Sequence, residues 1–247
     1  MRLKDKVAIV TGGGIGLGRA YCKALAAEGA RVVVADIAGE AARAVAHEVG
    51  GLAVHVDVTA AEQTAAMAAR AVEAYGAIDV LVNNAGMYAS IAKRPFTQIP
   101  LDEWDRCMAV NVKGVFLCCR AVYPQMKRQG RGKIINISSG TVLGGTPMFL
   151  HYVSSKAAVI GLTRALAREV GGDGINVNAI TPGLTIADEN QRRMLSEEYL
   201  APRRQARAIK RDQHPEDLVG TVVFLASSAS DFITGQTLNV DGGAWLL

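Results

Sequence analysis

The sequence predicts an α/β chain whose parallel strands form one doubly wound sheet with helices on both faces. Three observations carry that reading. Short β-branched runs alternate with helical stretches along most of the chain. The first run, Val7 to Val10, opens into a glycine turn, TGGGIGLG at 11–18. The second, Arg31 to Asp36, ends on a carboxylate about 20 residues after that turn, the offset at which an acid meets a ribose in dinucleotide-binding folds.

Val7, Ala8, Ile9 and Val10 are too few for a helix and suit a buried parallel strand. Gly12, Gly16 and Gly18 let the backbone turn sharply, approach a ligand and pack the next helix against the strand. Leu17, Tyr21, Ala24 and Leu25 then recur at helical spacing up to Glu28, with Gly29 as the stop. A helix N-terminus aimed at a glycine turn binds phosphate, although such turns also serve purely structural ends. Asp36 alone could equally cap the next turn; beside the glycine turn it reads as a ribose ligand. Its carboxylate accepts hydrogen bonds from ribose hydroxyls and repels a 2′-phosphate. Neither Gly13, Gly14, Ile15 nor Ile37 supplies a compensating cation, so NAD is favoured over NADP.

Ala53 to Asp57 reads as a third strand, in which His55 alternates with apolar neighbours, and Ala61 to Tyr75 as a helix. Ile78 to Val82 is a fourth strand running into Asn83, Asn84, Ala85 and Gly86. Right-handed crossovers lay such strands side by side, with ligands at their carboxyl ends, where Asp57 and NNAG fall. From about Leu101 to Gln129 the composition is helical, and Asn111 in its middle reads by itself as a polar, solvent-facing residue. Lys133 to Ser138 is a fifth strand, left by Ser139 and Gly140. The helix from Tyr152 to about Val170 sets Tyr152 and Lys156 four residues apart on one face. Ile175 to Ile180 is a sixth strand, ending at Thr181, Pro182 and Gly183. Residues 184–214 break the pattern with acids and then Arg203, Arg204, Arg207, Lys210 and Arg211; a loop of that length inside a compact fold is functional or mobile. Pro215 opens a helix to about Leu225, and Thr237 to Val240 is a seventh strand. No linker or repeat divides the 247 residues, which are expected to form one domain.

A formal charge of +4 with basic and acidic residues interspersed argues against nucleic acid or an anionic membrane as partner. No stretch has the length of a membrane span and the amino-terminal apolar run is too short for a secretory signal, so a cytoplasmic location is expected. Cys22, Cys107, Cys118 and Cys119 form no CxxC pair and have no histidine at metal spacing; buried thiols and no metal site are expected.

With these residues assembled, the chain resembles the short-chain dehydrogenase/reductase family over essentially its full length. TGGGIGLG, NNAG at 83–86, Asn111, Ser139, YVSSK at 152–156, PG at 182–183 and the terminal VDGG fall in that family's order. The resemblance implies a seven-stranded Rossmann sheet, hydride transfer between a nicotinamide and a carbon bearing oxygen, and a homotetramer. By the same resemblance Tyr152 is the acid/base, Lys156 its activator and a cofactor-ribose ligand, Ser139 the substrate-oxygen ligand, and Asn111 the holder of a proton-relay water. Ser139 rather than Ser138 is chosen because it lies 13 residues before the tyrosine, the family's spacing. Gly12, Gly14, Ile15, Gly16, Gly18, Asp36, Ile37, Asp57, Val58, Asn84, Ala85, Gly86, Pro182, Gly183 and Thr185 are then expected around the cofactor, with Tyr152 and Lys156 at its ribose. The threonine the family often carries four residues after PG is Ala187 here, which leaves Thr185 as the nearer candidate.

Physical chemistry asks for the same partners. A free tyrosine, with a pKa of about 10, is a poor base at neutral pH. Lowering it by about 3 units takes roughly 4 kcal/mol, which one ammonium at about 4 Å supplies at an effective dielectric near 20. The sequence therefore predicts that Lys156 depresses the Tyr152 phenol. A lone YxxxK is otherwise an ordinary amphipathic face with a wet hydroxyl. A serine hydrolase fails for want of a GxSxG elbow around Ser138 or Ser139.

Basic docking residues after the catalytic helix, common in the family's carrier-protein reductases, are replaced by Gly171, Gly172 and Asp173. Together with Asp36 this favours NAD-linked chemistry on a free secondary alcohol, apolar and cyclic or aromatic, over 3-oxoacyl-thioester reduction. Met87, Tyr88, Met148, Phe149 and Tyr199 fall where the family lines its pocket. The cluster Arg203–Arg211 reads either as a solvated lid face or as an attractor of acidic substrates. A dinucleotide sensor without turnover is a third reading, disfavoured by Ser139, Tyr152 and Lys156. The terminal Ala244, Trp245, Leu246 and Leu247 are expected at an interface between copies.

Overall fold

The strand that opens the chain, β1 (Val7–Thr11), is buried along its whole length and lies inside the sheet, with a parallel strand on each side. The structure, a computed structural model, describes residues 1–187, 192–193 and 195–246. Leu247 and, within the expected lid segment, residues 188–191 and 194 lie outside the described residues.

After β1 come α1 (Gly16–Ala27), β2 (Arg31–Asp36), α2 (Gly39–Val49), β3 (Leu52–His55), α3 (Ala61–Tyr75) and β4 (Val80–Asn83). The chain continues through α4 (Leu101–Met108), α5 (Gly114–Gln129), β5 (Gly132–Ile137), the single turn α6 (Thr141–Gly144), α7 (Leu150–Val170) and β6 (Ile175–Pro182). It closes with α8 (Glu197–Ala206), α9 (Glu216–Ala226) and β7 (Thr237–Val240). All seven strands pair in parallel in the order β3-β2-β1-β4-β5-β6-β7, the expected doubly wound Rossmann sheet.

Alternation along the strands divides the core into two layers. Val7, Ile9, Ile134 and Val177 face α3, α5 and α7; Ala8, Val10, Ile135 and Ile180 face α1, α2 and α9. Each fully buried Val or Ile contributes about 1.5–3 kcal/mol, so both faces must be covered. The order also positions the site. The chain winds outward from β1 to β3 and then returns to lay β4 against the other side of β1, with Thr11 opposite Asn83. Loops leaving those two strands diverge, and a crevice opens at their carboxyl ends.

Several expectations shift on meeting the fold. The third strand stops at His55, because the Asp57 side chain accepts from the Thr59 N–H at 2.8 Å and makes its own turn. Ile78 stays outside β4, its N–H and carbonyl taken by the Gln129 amide. The long helical stretch is broken by a π-turn over Ala109–Lys113, where the Gly114 N–H reaches back to the Ala109 carbonyl. Asn111 lies in that turn and is completely buried, which corrects the solvent-facing reading. Within 184–214 the structure forms α8, capped by Ser196, whose hydroxyl accepts from the Tyr199 N–H at 3.2 Å. Only Leu200 of α8 is buried and Pro202 lies inside it, so the helix carries little of the periodic signal that would reveal it.

Candidate active site

The glycine turn closes against the loop after β4. Gly12 has φ +62°, and a Cβ at Gly18 would overlap the Gly12 carbonyl. Asn84 Nδ2 donates to the carbonyls of Thr11 at 3.1 Å and Gly12 at 3.0 Å, while the Thr11 hydroxyl accepts from the N–H groups of Asn84 and Ala85. Thr11, which sequence reasoning did not single out, thus joins the turn to NNAG. Its one signal is its place at the junction of strand and glycines.

Asp36 closes the other side. It is buried, with Oδ2 accepting from the Gly14 N–H and Oδ1 from the Ala38 N–H, each at 2.9 Å. Ile15 and Ile37 flank it as bare apolar side chains, 69% and 65% exposed. Ile15 precedes α1, whose first turn carries no acid and whose N-terminus has no side-chain cap. Asp57 marks the end of β3, and Val58 is buried against Gly114. An uncapped helix start, a turn closed to Cβ atoms at Gly12, Gly14 and Gly18, and a carboxylate between two exposed apolar residues fit an adenosine diphosphate moiety.

At the end of β6, the Pro182 carbonyl accepts from the Gly140 N–H at 2.8 Å, tying PG to the residue after Ser139. Thr185 is buried and donates to the Gly183 carbonyl at 3.0 Å. The segment then passes over the glycine turn, with Ala187 Cβ 3.7 Å from where a Cβ of Gly16 would lie. Pairwise contacts thus join the glycine turn to Asp36 and to Asn84, and bring Ala187 of the segment after β6 close to Gly16.

Ser139, Tyr152 and Lys156 come together at the inner end of the crevice, all buried. Lys156 Nζ donates to the Ile137 carbonyl at 2.9 Å and lies 5.9 Å from the centre of the Tyr152 ring. Space for a Cβ at Gly86 is bounded by that ammonium at 3.2 Å and by Asn111 Oδ1 at 3.3 Å. Ser138 donates to the Lys156 carbonyl at 2.7 Å, a structural role, and leaves Ser139 to face the phenol. Asn111 is committed throughout. Oδ1 accepts from the Met87 N–H at 2.7 Å, and Nδ2 donates to the Met87 carbonyl and to Ser155 Oγ, itself bonded to the Tyr152 carbonyl.

Electrostatics differ from the sequence expectation. Burial pushes the Tyr152 phenol above its ordinary value, and the hydrogen bond with Ser139 only partly offsets this. Burial also brings Lys156 down to about 8. The ammonium turns to a backbone carbonyl, so desolvation outweighs its pull and the phenol rests neutral.

An aromatic wall surrounds the phenol. Phe149 stacks on Tyr152 at 4.6 Å between centres, Tyr88 lies 5.3 Å from it, and Met87 packs beside them. Met148 is held at φ +60°, its carbonyl accepting from the Arg94 N–H. Tyr199 stands one step further out, joined through Lys93, which the sequence did not flag. The four cysteines are buried and free, as expected, and burial pushes the Cys22 and Cys119 thiols up to about 12. Among the described residues no His, Cys, Asp and Glu cluster could hold a metal ion, and no helix is long and apolar enough to cross a membrane.

A family model described as enoyl-(acyl carrier protein) reductase matches residues 13–244. The chain belongs to the short-chain dehydrogenase/reductase family. It is 40% identical to the probable galactose dehydrogenase GalD of Rhizobium meliloti, covering 98% of this chain and 96% of that one. To the 3-alpha-(or 20-beta)-hydroxysteroid dehydrogenase of Mycobacterium tuberculosis it is 43% identical (98% and 90%), and to the 3-oxoacyl-(acyl-carrier-protein) reductase FabG of Staphylococcus aureus 40% identical (98% and 98%). A crystal structure of ribose-5-phosphate isomerase from Brucella melitensis 16M superposes with TM-score 0.90 at 36% identity, covering 98% of this chain and 93% of that one. As a short-chain dehydrogenase/reductase the chain is an oxidoreductase acting on CH–OH groups of small molecules with a nicotinamide dinucleotide. The isomerase likeness carries the fold and not the chemistry.

Proposed function

We propose that the protein transfers hydride between NAD(H) and a secondary alcohol or its ketone whose body is apolar and cyclic or aromatic. The observation that carries this reading is the shared burial of Ser139, Tyr152 and Lys156 at the inner end of the crevice, beside the stacked rings of Phe149 and Tyr88. When bound, the nicotinamide supplies or accepts the hydride. Tyr152 exchanges the proton of the substrate oxygen, Ser139 holds that oxygen, and Lys156 keeps positive charge beside the phenol and meets the ribose. The neutral phenol carries the proton that a ketone oxygen takes up, and its raised value means that the proton leaves only against the cost of a buried anion. Alcohol oxidation needs the phenolate, and cationic charge entering the crevice lowers the cost of forming it. Asn111 fixes the Met87 backbone and, through Ser155, the first turn of α7; with its side chain committed, its part in a proton-relay water falls to the backbone of the π-turn.

Asp36 supports NAD. A 2′-phosphate would meet a buried carboxylate with no cation from Gly14, Ile15 or Ile37. The likeness to FabG makes 3-oxoacyl-thioester reduction the second reading. Against it, the turn after α7 presents Asp173, tied to Tyr123 and Lys127, where a carrier protein's acidic surface wants cations. For assembly we adopt the homotetramer, which would cover Trp245 and Leu246, 47% and 89% exposed here. The test is an absorbance assay with both nicotinamides across secondary alcohols, ketones and acetoacetyl thioesters. Preference for NAD and cyclic or aromatic alcohols supports the proposal; preference for thioesters transfers it to the second reading, and dinucleotide binding with no turnover of any makes the protein a sensor.

A further inference from the structure

The basic residues that the sequence groups together separate in the fold. Arg204 pairs with Glu197 at 2.8 Å and Asp212 at 3.1 Å, and Arg211 pairs with Asp217. Arg207 is buried on the carbonyls of Leu184 and Arg211, and Lys210 donates to the Gln205 carbonyl. Those four charges are spent on the fold. Arg203 is different. Its guanidinium carbon lies 3.5 Å from the centre of the Tyr199 ring, with Nη1 donating to the Tyr199 carbonyl at 2.6 Å. No carboxylate pairs with it among the described residues.

Lys93 approaches the same ring from the loop after β4. Its ammonium lies 5.4 Å from the centre of Tyr199 and 5.7 Å from that of Phe149, and 3.4 Å from the Tyr199 hydroxyl. It too has no carboxylate partner among the described residues. Phe149 in turn stacks on Tyr152. Arg203 also reaches the pocket wall electrostatically: burial raises the Tyr88 phenol and the Arg203 charge opposes that rise.

Two cations held on one aromatic ring repel each other, and an exposed cation–ring contact returns little to offset that. What the pair lacks is an anion. A guanidinium over the ring and an ammonium at its hydroxyl offer a carboxylate two charged donors around one aromatic anchor. We propose that Lys93 and Arg203 form an anion subsite at the outer end of the aromatic pocket, selecting substrates that carry a carboxylate across a ring from the reacting carbon. The reacting carbon is assigned by the Tyr152 reading above, on which this inference rests.

Calorimetry with 4-acetylbenzoate and its neutral methyl ester, on the protein saturated with NAD, tests it without requiring turnover. The acid is expected to bind about tenfold tighter than the ester, the sum of a few partly exposed charge contacts. K93Q and R203Q should each cut that ratio by about threefold or more, and added salt should weaken only the acid. Reduction of the acid with NADH should show a raised KM and an unchanged kcat in both variants, since neither residue touches the reacting atoms. Equal affinity for acid and ester, a ratio untouched by R203Q, or no binding of either overturns the subsite. So does a preference for acetoacetyl coenzyme A over both, which would assign the cations to a phosphate. Charge-dependent binding without reduction leaves the subsite standing and defeats instead the aromatic ketone as the substrate class proposed above.

Discussion

Lys156 Nζ bonds to the Ile137 carbonyl at 2.9 Å, and no hydrogen bond joins it to Tyr152, whose ring centre is 5.9 Å away. The ammonium and the phenol share one buried space, and each disfavours its own ionised form there. This gives Lys156 a cost to stability that can be measured.

Because the folded-state value of Lys156 is about 8 against an ordinary 10.5, the unfolded chain binds the proton more tightly. The cost is full below pH 8 and is relieved as pH rises from 8 to 10.5. About 2.5 units correspond to roughly 3 kcal/mol, an upper figure. Lys156→Met is expected to raise unfolding free energy by about 1–3 kcal/mol at pH 7, with the gain shrinking toward zero near pH 10. Urea unfolding of both proteins at the two pH values checks it; a variant less stable than the parent at pH 7 would contradict the assignment.

Tyr152→Phe removes the proton exchanged with the substrate oxygen while preserving the stack on Phe149. A fall in kcat of about 10²–10⁴ is expected, with dinucleotide affinity changed by no more than about threefold. Steady-state rates paired with fluorescence titration of NADH measure both. Turnover retained at the parental level would require another proton donor.

Asp36→Ala acts on two readouts at once. Loss of the carboxylate should lower kcat/KM with NAD about tenfold or more and narrow the gap to NADP. It also leaves the N–H groups of Gly14 and Ala38 without their acceptor, at about 1–3 kcal/mol. Parallel kinetics with both dinucleotides and a thermal melt test the pair, and an unmoved NAD/NADP ratio would remove Asp36 from the cofactor site.

Asn111→Leu keeps the branched shape in the π-turn, adds some bulk and strips the hydrogen bonds to Met87 and Ser155. Destabilisation of about 2–4 kcal/mol is expected, with KM for the alcohol rising more than the dissociation constant of NADH, because Met87 leads into the Tyr88 wall. An unchanged melting midpoint would show that the side chain does not hold that loop.

Local pattern was enough to recover the strands, most of the helices and the shared face of Tyr152 and Lys156, since a period of two or of 3.6 is written in neighbouring residues. The glycine turn and Asp36 were legible for a related reason: backbone sterics and strand length set their offset before anything packs. The helix α8 was not, because Pro202 and a charged surface hide its period. Burial of Asn111, the partner of the Lys156 ammonium and the separation of Arg203 from Arg204, Arg207 and Arg211 had to wait for the tertiary structure. Each of these depends on which distant segment arrives alongside and on how much water is left between charges. Sequence spacing carries neither quantity, and both decide whether a side chain is ionised, bonded or free to meet a ligand.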